Sequence, residues 1–210
     1  MQEQINFIIE VLGTISFAMS GSFAAMQKRL DPFGVLIIAF VTSVGGGTIR
    51  DLLLDVPIFW MRDLRVCGLI FITCVLTMFV KSLEKNFQVT LFIFDSFGLG
   101  LFTIIGIQKG MTLEFHPIIC LTLGTITGCF GGILRDILLN RIPLIFRREI
   151  YATACIVGGA LYLLLDIFTT LSHTFVQVAT ILLIVIIRTM AVKYQWQFPK
   201  FYEKHFDGEA

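Results

Sequence analysis

The amino-acid sequence predicts an all-α membrane protein with seven transmembrane helices, arranged as two inverted three-helix repeats plus one extra helix. Three observations predict it. Of 210 residues, 56% are hydrophobic and only 15% charged, where a soluble domain carries about 25% charged residues. Apolar runs of the length that crosses a bilayer, about 20 residues, recur along the chain. The two halves of the chain also match each other at a constant offset.

The runs cover residues 5–27, 33–54, 64–83, 88–108, 117–139, 150–171 and 174–194. Mean hydropathy of +0.87 is too high for a water-exposed surface. The first run has no Lys or Arg before it and no small-residue cleavage site after a short apolar core. It is therefore expected to stay in the mature protein rather than leave as a signal peptide. Residues 5–87 form the expected first repeat and 88–171 the second. Residues 172–194 form the seventh helix, and 195–210 a short polar tail. The loops are too short for a soluble catalytic domain.

Basic residues set the expected orientation. Counting alternate loops, one side holds Lys28, Arg29, Lys81, Lys85, Arg141, Arg147 and Arg148, with Lys193, Lys200 and Lys204 from the end of the chain. The other holds Arg62, Arg65 and Lys109. The richer side is expected to be cytoplasmic, with the N-terminus outside and the C-terminus inside, in a multi-pass cell (inner) membrane protein. A net charge of +1 gives no electrostatic reason for a nucleic-acid partner. Membrane lipid is the expected environment, and no soluble protein partner is implied.

A shift of 85 positions superposes the halves without a gap from Glu10 to Asp55. Gly13 meets Gly98, Phe17 meets Phe102, Gly21 meets Gly106, Pro32 meets Pro117 and Thr42 meets Thr127. Gly46-Gly47-x-x-Arg50-Asp51-x-Leu53-Leu54 then meets Gly131-Gly132-x-x-Arg135-Asp136-x-Leu138-Leu139. Beyond a one-residue insertion, Arg62-Asp63 meets Arg148-Glu149. A unit of three helices crosses the membrane an odd number of times, so two in series run in opposite senses. That is the inverted-repeat plan of many proteins that move small solutes or ions.

The second helix of each unit contains Gly45-Gly46-Gly47 or Gly131-Gly132. Each helical glycine costs about 1 kcal/mol relative to Ala. Close helix–helix packing through small residues is one explanation. A broken helix whose freed carbonyls coordinate a cation is the other. The breaks are symmetric and each precedes an Arg-Asp pair, which favours the second. Thr42, Ser43, Thr125 and Thr127 would add hydroxyls to such a path.

Charges inside apolar helices cost about 2.5–3.5 kcal/mol each at mid-membrane, so Arg50, Asp51, Arg135 and Asp136 are expected to face protein or water. Side chains of adjacent helical residues diverge by about 100°, so Arg50 is not expected to neutralise Asp51 directly. The repeat also matches Glu10 with Asp95. Similar depths predict two ion pairs, Glu10–Arg50 near one face and Asp95–Arg135 near the other, serving as a lock or a gate. Asp166 and Arg188 are expected at the interface.

His116, His173 and His205 read as isolated loop residues. Cys67, Cys74, Cys120, Cys129 and Cys155 all lie in apolar runs and read as helix-packing residues. No cofactor is expected, and no metal beyond transient K⁺ or Na⁺. No catalytic or nucleotide-binding pattern occurs in a fitting context, so an enzyme is not expected.

The doubled G-G-x-x-R-D-x-L-L, placed after Pro32 and Pro117, resembles the prokaryotic trimeric intracellular cation (TRIC) channel family, which overlaps a bacterial family of putative glycine transporters. The resemblance covers residues 5–194. It implies a homotrimer with one pore per protomer, lined by the second and fifth helices and conducting K⁺ and, less selectively, Na⁺. The second motif begins Phe130-Gly131-Gly132, so the two halves need not be equivalent. The long basic tail and Lys-Glu-Val signature of animal members are missing. A transporter of a small zwitterion such as glycine is the alternative, since inverted repeats serve both tasks.

Overall fold

The computed structural model describes residues 2–80, 87–147 and 150–196. Eight α-helices lie among them: α1 (Gln2–Gln27), α2 (Pro32–Leu53), α3 (Phe59–Arg62), α4 (Leu64–Phe79), α5 (Phe87–Thr112), α6 (Pro117–Leu138), α7 (Ala152–Phe168) and α8 (His173–Lys193). A 3-10 turn at Leu144–Phe146 joins α6 to α7. The expected residues Lys81, Lys85, Arg148, Glu149, Lys200, Lys204 and His205 lie outside the described residues, as does most of the tail.

Helices α1, α2, α5, α6 and α8 are long and apolar enough to cross a membrane. Helices α4 and α7 have only 16 and 17 residues. At 1.5 Å per residue they reach about 25 Å, short of a hydrocarbon core of about 30 Å. Both lie within the expected runs 64–83 and 150–171, and residues 81–83 of the first run lie outside the described residues. Val80 leaves the helical conformation after Phe79. Tyr151 precedes the first turn of α7, and Thr169 is extended after its last. Helix α3 was not expected.

The start and stop signals repeat with the sequence. Asp31 caps α2, its carboxylate accepting from the Gly34 amide at 2.9 Å, with Pro32 in the first turn. His116 occupies the matching position before Pro117, its Nδ1 accepting from the Ile118 amide. The preformed φ of Pro suits the first turn, where its missing N–H costs nothing. Both helices end in a left-handed residue, Asp55 (φ 51°) and Asn140 (φ 51°). The amides of Val56 and Arg141 return to the Asp51 and Asp136 carbonyls, closing helix ends whose carbonyls would otherwise be orphaned.

Large apolar side chains face outward: Phe33, Leu64, Phe79 and Phe168 are 68–83% exposed. Ser20, Thr42, Asp95, Arg135 and Arg188 are buried inside. Apolar exposure on this scale belongs to a lipid-facing surface, with the polar groups gathered where protein can satisfy them.

Helix α1 packs on α2, α4 and α5, and α5 packs on α1, α6 and α8. The Phe17 and Phe102 rings stack at 5.2 Å, 8° from parallel. A Cβ on Gly13 would meet Phe102, and one on Gly98 would collide with Phe17. One on Gly21 would meet the Thr42 hydroxyl, and one on Gly106 that of Thr127. Each contact has a counterpart 85 positions away. Helix α8, expected outside the repeats, is tied to α1 by Gln177, which donates to the Asn6 side-chain oxygen at 3.0 Å.

Candidate functional site

The glycines of α2 and α6 meet where the two helices cross. A Cβ on Gly46 would collide with the Thr127 carbonyl oxygen, and one on Gly131 with that of Thr42. Gly45 faces Leu134, Gly47 lies against the Phe59 ring, and Gly132 against the Tyr151 hydroxyl. Both helices run unbroken through these residues, and no described glycine has a positive φ. The expected helix breaks are therefore corrected. Absence of Cβ atoms lets two continuous backbones touch, the small-residue packing of membrane helices.

The hydroxyls beside the glycines turn back onto their own helices. Thr42 donates to the Ile38 carbonyl and Thr127 to that of Leu123, each at 2.6 Å. Thr125 donates to the Leu121 carbonyl. Ser43 donates to Ala39 at 2.8 Å and reaches the Thr14 carbonyl of α1 at 3.3 Å. All four hydroxyls thus donate to protein carbonyls, and α2 and α6 are in direct contact at their crossing in this conformation.

The Arg-Asp pairs lie one turn further along. Arg135 is 1% exposed and Asp95 is 0% exposed. Arg135 Nη1 donates to Asp95 Oδ1 at 2.6 Å and to the Ser20 hydroxyl at 2.7 Å. Its Nε donates to Asp136 Oδ1 at 2.9 Å. The expected Asp95–Arg135 pair is present. The expected Glu10–Arg50 pair is absent among the described contacts. Arg50 instead donates from Nε to Asp51 Oδ1 at 2.8 Å, with Nη2 2.7 Å from the same oxygen. Its guanidinium also lies 5.8 Å from the Phe59 ring centre.

Two corrections follow from reach. Cβ atoms of adjacent residues do diverge, but the long arginine stem folds back far enough for its guanidinium to meet the neighbouring carboxylate. The partner oxygens of Asp51 and Asp136 then hold the next segment, accepting from the Phe59 and Leu144 amides at 3.0 and 3.4 Å. Ser20 helps orient Arg135, whereas the position matching Ser20 in the other half is Ile105. Arg50 has no corresponding hydroxyl, and it keeps the adjacent-Asp pair that Arg135 also makes, without the second carboxylate.

Arg188 is not interfacial. It is fully buried, with Nη2 3.9 Å from Asp95 Oδ2 and Nη1 donating to the Ile150 carbonyl at 3.0 Å. Its guanidinium packs over Tyr151 and Phe92 at 4.8 and 5.1 Å from the ring centres. An arginine within an apolar helix is costly enough to imply a partner, and that signal was readable. Ser20, Phe59 and Tyr151 carried no such signal. Asp166 is half-sheltered and accepts from His173 Nδ1 at 2.8 Å, so His173 is not isolated. Cys129 and Cys155 bring their sulfurs to 3.9 Å between α6 and α7.

Two cavities flank this zone. One of about 250 Å³ is lined by Glu10, Thr14, Phe59, Asp63 and Arg65, with apolar neighbours. Another of about 570 Å³ lies at the opposite ends of the helices and is lined by Arg135, Asp136, Arg141, Arg147, Arg188 and Lys193, among others. Asp63 caps α4 and accepts three hydrogen bonds from Arg65, side chain and amide, at 2.8–2.9 Å, with a fourth contact at 3.1 Å. Those bonds hold the Asp63 carboxyl below its usual pKa. Arg141, on the other side, is pulled below the usual arginine value by burial. No group of three or more His, Cys, Asp or Glu able to hold a metal ion occurs among the described residues.

The profile of the family described as glycine transporter matches residues 7–82 and 92–166. The chain belongs to that family. It is 39% identical over 201 residues to the UPF0126 inner membrane protein YadS of Escherichia coli strain K12, covering 92% of this chain and 94% of that protein. A UPF0126 membrane protein of Vibrio cholerae is 42% identical over 161 residues, 76% of this chain and 67% of that one. Like YadS, the chain is an inner membrane protein, and its several long apolar helices make it multi-pass. Among solved structures, the TRIC trimeric intracellular cation channel orthologue of Rhodobacter sphaeroides superposes with a TM-score of 0.86 at 31% identity, covering 91% of this chain and 98% of that one. A prokaryotic TRIC channel determined in 0.5 M KCl gives 0.84 at 30% identity, with 93% and 100% covered. The TRIC channel of C. elegans, at 17% identity and a TM-score of 0.62, shares the fold.

Proposed function

We propose that this protein is a K⁺-permeable monovalent cation channel, not an enzyme, working as a homotrimer with one pore in each protomer. The carrying observation is the superposition on bacterial TRIC channels over more than nine-tenths of the chain, joined to a buried polar seam inside an apolar exterior. The reading includes seven membrane-crossing helices in two inverted repeats, 5–87 and 88–171, with 172–194 appended. The reciprocal contacts of Gly46 with Thr127 and of Gly131 with Thr42 support that symmetry. It further places the N-terminus outside and the C-terminus in the cytoplasm, as the basic loops suggest.

In this reading α2 and α6 form the narrow zone. Thr42, Ser43 and Thr127, with the backbone of Gly45, Gly46, Gly47, Gly131 and Gly132, line the path when the two helices separate. Their contact at the crossing corresponds to a shut state. Arg135, held by Asp95 and Asp136, and Arg50, held by Asp51, fix the helix ends on either side of it. K⁺ or Na⁺ is the permeant ion and no cofactor takes part.

The family description favours transport of glycine as a second reading. Half-helix termini would supply its carboxylate and ammonium sites, and the unbroken α2 and α6 offer none. Planar-bilayer recording of purified protein in K⁺ gradients, beside glycine uptake into proteoliposomes, separates the two. Unitary current steps are expected. Saturable glycine uptake without steps would overturn the channel reading.

A further inference from the structure

The two halves share one pattern of charges, yet the ends of the molecule differ. Asp95 is enclosed by Arg135 at 2.6 Å and Arg188 at 3.9 Å. Its counterpart Glu10 has no hydrogen bond or ion pair among the described residues, and Arg50 pairs with Asp51. No helix in the first half corresponds to α8, so no second arginine reaches Glu10. Glu10 lines the 250 Å³ cavity, whose other two charges, Asp63 and Arg65, neutralise each other. The cavity therefore keeps one net negative charge. Phe59 forms one wall of it and also rests against Gly47. The Phe59 ring thus touches both this chamber and the glycine segment of α2.

The opposite cavity has the reverse sign. Arg135, Arg141, Arg147, Arg188 and Lys193 line it against Asp136, and adding Asp95 still leaves a basic excess among the described residues. Glu10 and Gln27, which borders the basic cavity, lie on the same helix about 25 Å apart at 1.5 Å per residue.

We infer that Glu10 is the cation-recruiting residue of the pore, and that its opposition to the basic cavity makes the pore rectify. This rests on the channel reading above. A carboxylate in a narrow, low-dielectric mouth concentrates cations there and repels anions. The basic mouth depletes them. Cations therefore enter faster from the Glu10 end than from the Arg135 end. The ligand class is a hydrated alkali cation, met by carboxylate oxygen without a fixed cage. Salt screens the effect, since the Debye length shrinks from about 30 Å at 0.01 M to about 3 Å at 1 M.

The test is single-channel recording of the purified full-length protein at equal and opposite potentials, in symmetric KCl of about 0.01 M and about 1 M, the two limits of screening. The wild type should pass at least about twofold more current in one direction at low salt and become nearly ohmic at high salt. Glu10→Gln should lose the larger low-salt current and match the wild type at high salt, which also shows that it folds and conducts. Glu10→Asp should retain rectification. Ohmic wild-type currents at low salt, or rectification untouched by Glu10→Gln, overturns the inference while leaving the channel reading intact. Absence of wild-type unitary currents in both salts overturns both.

Discussion

Arg135 of α6 binds its neighbour Asp136 and also reaches back to Asp95 of α5 at 2.6 Å, whereas its repeat counterpart Arg50 binds its neighbour Asp51 without reaching Glu10. Repeated sequence has here produced one shared ion pair and a further pair that the second half alone makes among the described residues. The second half closes its acid inside the bundle, and the first half leaves its acid facing a cavity.

Breaking the enclosed pair should destabilise the protein. Arg135→Met leaves Asp95 and Asp136 short of their main partner, and Asp95→Asn leaves Arg135 less compensated. Each should cost about 3–5 kcal/mol, the usual penalty for an uncompensated buried charge. The double variant should cost less than the sum, with a coupling of about 0.5–3 kcal/mol. Thermal unfolding in detergent measures the cycle, and strictly additive losses would show that the pair is not coupled.

The crossing of α2 and α6 admits no Cβ. Gly46→Ala and Gly131→Ala should each lose about 1–3 kcal/mol through overpacking, because the obstacle is backbone rather than a movable side chain. Gly68→Ala is the matched control. It faces open space on α4 and should gain about 0.5–1 kcal/mol from helix propensity. Equal stabilities for Gly46→Ala and Gly68→Ala would remove the argument for close approach.

Arg65 holds the Asp63 carboxyl below its ordinary pKa through hydrogen bonds. Removing it with Arg65→Ala should raise the Asp63 pKa toward the usual carboxylate range, followed by NMR titration. The sign of the stability effect follows: the pair contributes above the unfolded-state pKa of Asp63 and fades as pH falls through its lowered folded value. Exposure keeps that contribution small. The same substitution removes a cation from the Glu10 cavity and should increase low-salt rectification.

The count of loop lysines and arginines predicts that cysteines introduced in the 139–150 loop and the C-terminal tail react only with reagents on the cytoplasmic side. One introduced beside Lys109 should react from outside. The opposite labelling pattern would invert the assigned topology and exchange which side of the membrane the Glu10 mouth faces.

Composition alone determined that this chain lives in a membrane, because so few charges and so many apolar residues leave no soluble surface. The constant offset of 85 positions determined that its halves are related, and Asp31–Pro32 and His116–Pro117 marked where two helices begin. The pairing of Asp95 with Arg135 was also legible, since matched charges at matched depth in an apolar setting need partners. Three things waited for the tertiary structure. Glycine in a helix permits either a break or a close approach, and only the Thr127 and Thr42 carbonyls opposite Gly46 and Gly131 decided for approach. The partners of an arginine depend on what its long stem can reach, so only the structure showed that Arg50 and Arg135 both bind the adjacent Asp and that Arg135 adds Ser20 and Asp95. Arg188 was expected at the interface, and finding it buried beside Asp95 required the path of α8 across α5. Those outcomes are contacts between residues far apart in the chain, and periodicity along a sequence carries no record of which distant backbone or side chain will stand opposite.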